Sequence, residues 1–315
     1  MTDYWLMHWG PSILPPAVRT VWGWKIAAAY FFAGTGSMAM FLAAYEDWRK
    51  RSGALARVGM ISGVASIGVA LALFVIDLGV PFRVFNLVIG WTSRLASSSM
   101  SWGALALTVL PLLGLYSLLR GKAGTGNNRA VALGVMLFGV LAAVYPGFLL
   151  GATSIALWNA YLPLFFLATS LSAGSAFMAL VAALVITEPA ERQSSIRRME
   201  ATSVVSTAAE IVFLGMLLYA AAGNGRALPA LRALIGDPVG LYFWVGAALT
   251  IAAGVGLLLP MVGERRQHAA GSGGLAGAFA VAASGSFLLR FSLFLAGFAA
   301  YSAVSPFGSY TLQLP

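Results

Sequence analysis

Cysteine is absent from all 315 residues. Thiolates hold iron–sulfur clusters and anchor c-type haem, so this chain ligates neither, and it has no disulfide framework. Histidine is almost as scarce: His8 and His268 are the only two, and both lie outside the apolar runs. A bis-histidine haem inside a helical bundle is therefore excluded, and no metal site or redox metal of the chain's own is expected. Charge is scarce as well. Charged residues make up 9% of the chain, against about 25% in soluble domains. The first sixteen residues, MTDYWLMHWGPSILPP, have no basic stretch ahead of an apolar one, so no cleaved signal peptide is expected.

What fills the chain is apolar. Hydrophobic residues reach 60% and the mean hydropathy is +0.86. The fold class expected is an all-α integral membrane protein. Eight spans have the roughly 20 residues that a hydrocarbon core of about 30 Å requires. They are expected at 22–45, 56–79, 99–119, 129–151, 156–186, 201–222, 239–262 and 273–303. The fifth and eighth are long enough to tilt or project. Residues 1–21 read as an interfacial arm, apolar but too short to span. Residues 22–151 and 152–315 read as two four-helix bundles.

The net charge of +9 follows from topology and does not call for nucleic acid. Lys and Arg gather in cytoplasmic loops. One side carries Arg49, Lys50, Arg51, Arg57, Arg120, Lys122, Arg129, Arg192, Arg197, Arg198, Arg265 and Arg266. The other carries Arg19, Lys25, Arg83, Arg94, Arg226 and Arg232. The imbalance predicts both termini on the outer face. Segments 31–44 (FFAGTGSMAMFLAA) and 165–183 (FFLATSLSAGSAFMALVAA) share an FF start, small residues and a Met-containing tail. Either the two bundles are a parallel repeat, or both segments show the small residues common where membrane helices pack closely.

The stretch from Asp77 to Gly103 organises the chain. It joins two apolar helices yet carries Arg83, Asn86, Trp91, Arg94, Trp102 and a serine run, and it suits a head group or a partner. Deeper charges are costly, about 2.5–3.5 kcal/mol each on insertion scales, and mark candidate function. Counted from the cytoplasmic ends of the expected spans, Glu210 lies roughly 12 Å deep, Arg290 roughly 22 Å, Tyr145 roughly 24 Å and Asp77 roughly 30 Å. These four form a candidate polar ladder. Glu210 and Arg290 alternatively make one structural salt bridge, and Asp77 pairs with Arg83. Pro146 releases a backbone carbonyl beside Tyr145. Lys25 is either a snorkelling charge or a hydrogen-bond donor to a quinone carbonyl. Trp22, Trp24, Trp91, Trp102 and Trp158 read mostly as an interfacial aromatic belt.

Several ordered segments together resemble a known family. They are YFFAGTGS (30–37), DLGVPFRVFNL (77–87), SMSWG (99–103), YPGFLLG (145–151), LPLFFLATSLSAG (162–174), RRME (197–200) with Glu210, YFWVG (242–246) and FLLRFSLFLAG (287–297). The chain is similar to the NrfD-like membrane subunits of bacterial respiratory complexes, among them that of polysulfide reductase. The resemblance implies two four-helix bundles in the bacterial cytoplasmic (inner) membrane and no haem or iron–sulfur cluster within the chain. It implies exchange of electrons between a quinone (menaquinone or ubiquinone) and an iron–sulfur subunit, joined to a molybdopterin-type catalytic subunit docked at the outer face. Tyr145, Asp77, Arg83, Lys25 and Trp102 would then form the quinone site, and Asp77, Glu210, Arg290 and Tyr145 a proton path.

The chain departs from the family at one place. The His or Tyr usual about five residues before the span-1 glycine (Gly34) is replaced by Ala29, with Ile26 upstream; Tyr30 and Lys25 are expected to point elsewhere. Either other residues hold the head group, or the protein is an anchor that has lost quinone. A small-solute or ion transporter using the same charges is a further alternative.

Overall fold

The computed structural model describes residues 24–77, 82, 98–120, 128–153, 155–236, 238–262 and 272–304; for 259–262, 272, 273 and 299–304 it describes the backbone alone. Arg83, Asn86, Trp91, Arg94, Trp22, Lys122, Arg265, Arg266 and the arm 1–21 lie outside these residues.

The described residues form nine α-helices and no strand. They are α1 (Trp24–Trp48), α2 (Gly53–Asp77), α3 (Ser99–Leu119), α4 (Arg129–Gly151), α5 (Leu162–Val185), α6 (Pro189–Ala222), α7 (Leu228–Ile235), α8 (Val239–Val262) and α9 (Ser272–Val304). Eight of them, all but α7, are long and apolar enough to cross a membrane, as expected from the sequence.

Local chemistry sets the boundaries. The Ser98 side chain accepts from the Ser101 N–H, and the Asn128 side chain from Ala130 and Val131, which caps α3 and α4. The end of α1 closes in a left-handed turn, with Lys50 at φ 51° and the Arg51 N–H returning to the Glu46 carbonyl at 3.0 Å. The fifth span is shorter than its apolar run. Asn159 takes the Tyr161 N–H with its own side chain, and Pro163 opens the helix, so residues 156–161 form turns. The sixth is longer, beginning at Pro189, and its first turns carry Arg192, Arg197 and Arg198. The short α7 was not expected. It packs on α8 and α9.

α1 packs against α2, α4, α5 and α9, and α5 against α1, α4, α6 and α9. These two helices are central. Their apolar windows are 83% and 72% buried, against 28–44% for the other spans. Glycines allow the close approach: a Cβ on Gly174 of α5 would lie 2.8 Å from the Met38 side chain of α1.

At one end, here the basic end, the close of α1 meets the starts of α2, α4 and α6. Glu46, only 1% exposed, accepts two hydrogen bonds from Arg198, at 3.2 Å from Nε and 2.9 Å from Nη2. Ser52 donates to Glu191 at 2.5 Å, and the Arg129 guanidinium stands over the Trp48 ring, 5.9 Å from its centre. The opposite end is called the far end.

Candidate functional site

Lys25 lies in the first turn of α1 and Asp77 closes α2, so antiparallel packing brings both to the far end. Both are half-buried, and their opposite charges attract. One turn inward from Asp77, Phe74 meets Tyr30 edge-on with ring centres 5.3 Å apart.

Tyr30 and Tyr145 form the heart of this region. Tyr30 is 3% exposed and Tyr145 7%. Their rings meet edge-to-face with centres 5.6 Å apart, and their hydroxyls lie within hydrogen-bonding reach of each other. Phe294 of α9 stacks on Tyr30 at 5.8 Å, and Phe166 of α5 meets it edge-on at 6.5 Å. Gly103 opens the space for Tyr145, since a Cβ there would overlap the Tyr145 ring. α4 continues through Pro146, which has no N–H to return to the Ala142 carbonyl one turn back. The expectation that Tyr30 points elsewhere is therefore corrected: it faces Tyr145. Tyr30 lies four residues before Gly34, on the same helical face, and that face is turned to the interior.

Next inward is Arg290, fully buried on α9. Its Nε donates to the Thr169 hydroxyl at 2.9 Å and its Nη1 to the Tyr30 carbonyl at 3.1 Å. Its Nη2 donates to the Phe166 carbonyl at 3.3 Å, to the Thr169 hydroxyl and to the Ser170 hydroxyl at 2.8 Å. The guanidinium also stands 5.1 Å from the centre of the Phe166 ring. Gly34 makes room for this cluster, because a Cβ there would overlap the Ser170 hydroxyl and approach Arg290 Nη1 to 3.2 Å. Arg290 thus joins α1, α5 and α9.

Glu210 on α6 is also fully buried. The salt bridge to Arg290, one of the two sequence readings, does not form: the ion pairs within 4 Å among the described residues both involve Glu46. The Arg290 charge still acts on Glu210, but its donors go to hydroxyls and carbonyls. Thr250 of α8 and Ser286 of α9 lie beside the Glu210 carboxyl. Among the described residues neither carboxyl oxygen has a hydrogen-bond partner, and nor does the Thr250 hydroxyl. One turn back along α6, the Thr207 hydroxyl is 2.8 Å from that of Ser172 on α5.

Of the residues expected at a quinone site, Lys25 and Asp77 meet at the far end, with Tyr145 beyond Phe74 and Tyr30. Trp102 precedes Gly103, is 43% exposed, and is not among the rings around Tyr30. Arg83 lies outside the described residues. Trp158 is no belt residue: it is 3% exposed and donates from its indole N–H to the Leu293 carbonyl at 3.1 Å. Trp24, 58% exposed, is placed as a belt residue would be. Sequence reasoning missed Tyr30, Thr169, Ser170, Thr250, Ser286 and the Glu46–Arg198 pair. The hydroxyls gave no signal, because Ser and Thr are common in membrane helices. Among the described residues no three His, Asp or Glu side chains converge as metal ligands would.

The chain matches the family described as "Polysulphide reductase, NrfD" over residues 16–301. No curated protein matches it.

Proposed function

Because the chain belongs to the NrfD, or polysulphide reductase, family, and so is a multi-pass membrane subunit of a redox complex, we propose that it handles quinone at the far end. It passes electrons between the quinone pool and an iron–sulfur partner. The observation that carries this reading is the buried phenol pair Tyr30–Tyr145, which Phe74 joins to the Lys25–Asp77 pair at the far end. Quinone reduction takes two electrons and two protons. The chain supplies donors for the head group: the Tyr145 hydroxyl, backed by that of Tyr30, and the Lys25 ammonium. Asp77, beside Lys25, exchanges protons with water at the far end. Phe74, Phe166 and Phe294 give the apolar walls that a ring and its tail require. Tyr30 supplies a polar group where Ala29 and Ile26 do not.

The cluster that exchanges electrons with the quinone sits in a partner, since a chain without cysteine holds no iron–sulfur cluster. An iron–sulfur subunit and a molybdopterin-type catalytic subunit would dock at the far end. The excess of Arg and Lys at the basic end supports an orientation with the far end outside, in a bacterial cytoplasmic membrane. Glu210 and Arg290 extend the polar interior inward from the phenols as a route for protons.

Purification from the native host in mild detergent tests this, with mass spectrometry for partners and extraction for quinone. An iron–sulfur subunit and bound quinone are expected. Isolation without either, together with complex activity untouched in Tyr145→Phe and Tyr30→Phe, would overturn it.

A further inference from the structure

We propose that the close of α1 and the start of α4 form a binding site for an anionic phospholipid of the leaflet at the basic end, its phosphate held by Arg129, Arg49 and Lys50 around Trp48. The site is separate from the phenols and from the buried charges, and it does not rest on the quinone reading.

Arg129 opens α4, with its guanidinium 5.9 Å from the centre of the Trp48 ring of α1. Stacking on an aromatic ring holds a guanidinium in place and leaves its edge N–H groups free to donate. Among the described residues none of those donors is spent on a hydrogen bond or on an ion pair within 4 Å. A planar fork with unspent donors matches the oxygens of a phosphate. Trp48 is 38% exposed, which suits a ring at the level of the head groups.

The turn after Trp48 brings two more cations to the same place. Arg49 and Lys50 are both exposed, and Lys50 sits at φ 51°. Glycine or asparagine usually takes that left-handed position, and a lysine there costs stability, so its charge has a use. Carboxylates do not supply that use. Glu46 is engaged by Arg198 and Arg51, and Glu191 accepts from Ser52. Asp47 has a contact of its own, but among the described residues it makes no ion pair within 4 Å. Even with Asp47 set against one of Arg49, Lys50 and Arg129, positive charge remains in excess around Trp48.

Charge alone would suit any anion, and the flank of α4 narrows the choice to a lipid. Leu133 and Leu137 follow Arg129 in steps of four residues, on one side of the helix, and are 53% and 59% exposed. From Arg129 to Leu137 the helix rises about 12 Å. An acyl chain lies against the two leucines while its phosphate meets the guanidinium. Each Lys or Arg at a membrane surface adds to the attraction for anionic lipid. A zwitterionic head group carries no net charge and gains far less from the same cations.

The test uses the full chain in mild detergent, equilibrated with equal amounts of phosphatidylglycerol and phosphatidylethanolamine bearing the same acyl chains. Native mass spectrometry counts the lipid that each chain retains. Retention of phosphatidylglycerol over phosphatidylethanolamine by about tenfold is expected. Arg129→Gln should lower that ratio by about fivefold, the effect of one surface cation, and Trp48→Leu should lower it too. Both positions are exposed, so the melting temperature without added lipid should stay near that of the parent. Arg57→Gln on α2 and Arg192→Gln on α6 remove exposed cations outside the site and should leave the ratio unchanged. No preference in the parent, a parental ratio in Arg129→Gln or Trp48→Leu, or an equal fall in the Arg57 and Arg192 variants overturns the site. The last result would mean that the whole basic end attracts anionic lipid without a place for it. None of these results touches the quinone reading, which stands or falls on partner and quinone binding.

Discussion

The Tyr145 hydroxyl and the Tyr145 ring do separable work. The ring fills the space that Gly103 leaves and meets Tyr30; the hydroxyl is its only polar atom. Tyr145→Phe keeps the ring packing but leaves the buried Tyr30 hydroxyl without its neighbour, so it should cost about 1 kcal/mol of stability while quinone-linked turnover falls by about tenfold, the worth of one hydrogen bond of about 1.4 kcal/mol. Gly103→Leu acts on the ring instead. It overfills the site and should cost about 1–3 kcal/mol, read as a lowered melting temperature. Arg290 and Glu210 allow a sharper comparison. Arg290 faces hydroxyls and carbonyls, and a carbonyl can only accept. Glu210→Arg combined with Arg290→Glu would set a carboxylate against the Tyr30 and Phe166 carbonyls. The double exchange should restore neither the stability nor the turnover lost in either single variant, whereas a direct ion pair would be rescued. The charges themselves were legible in the sequence, because each interrupts an apolar run. Their partners were not, because a guanidinium satisfied by Thr169, Ser170 and two carbonyls leaves no trace in spacing. Tyr30 was misread for a similar reason: its facing depends on where α5 and α9 pack.

Among the elements, hydropathy placed all eight spans but missed what extends beyond the apolar stretch. The first turns of α6 are rich in Arg and Ser and look like a loop, yet they are helical and fasten to α1 through Arg198 and Glu46. The two partners are unequal. Glu46 is 1% exposed and the Arg198 side chain 27%. Removing the arginine leaves a buried carboxylate whose remaining ion pair among the described residues is with Arg51, at 3.8 Å; removing the carboxylate leaves an arginine that still reaches water. Arg198→Ala should therefore destabilise more than Glu46→Ala, by about 1–3 kcal/mol against about 1 or less, as measured by thermal unfolding in detergent. The start of α5 was misplaced because the apolar run continues through residues 156–161, where Asn159 and Pro163 set a turn.

In the whole molecule, the order of the helices was legible and their centrality only faintly so. The segments that share small residues, 31–44 and 165–183, belong to α1 and α5, the two helices that became the interior. Small residues permit such closeness, but no pattern in one sequence says which helix they admit. The consequence is testable by contrast. A Cβ on Gly34 would overlap Ser170, whereas one on Gly68 of α2 meets nothing within 4 Å. Gly34→Leu should abolish a monodisperse peak in size-exclusion chromatography, and Gly68→Leu should leave it unchanged.

That α1 is interior also bears on how the protein is made. α1 has the lowest mean hydropathy of the eight spans, 1.5, and it leaves the ribosome first among them. Its packing partners α5 and α9 are synthesised much later, so a nascent α1 waits in the bilayer with its small, polar face turned to lipid and to α2. Its safety during biogenesis rests on α2, the first partner to arrive and the most lipid-compatible span at 2.3. A chain halted after Gly151 would keep that guardian but lack the helices that seal α1, leaving it open to membrane quality-control proteases.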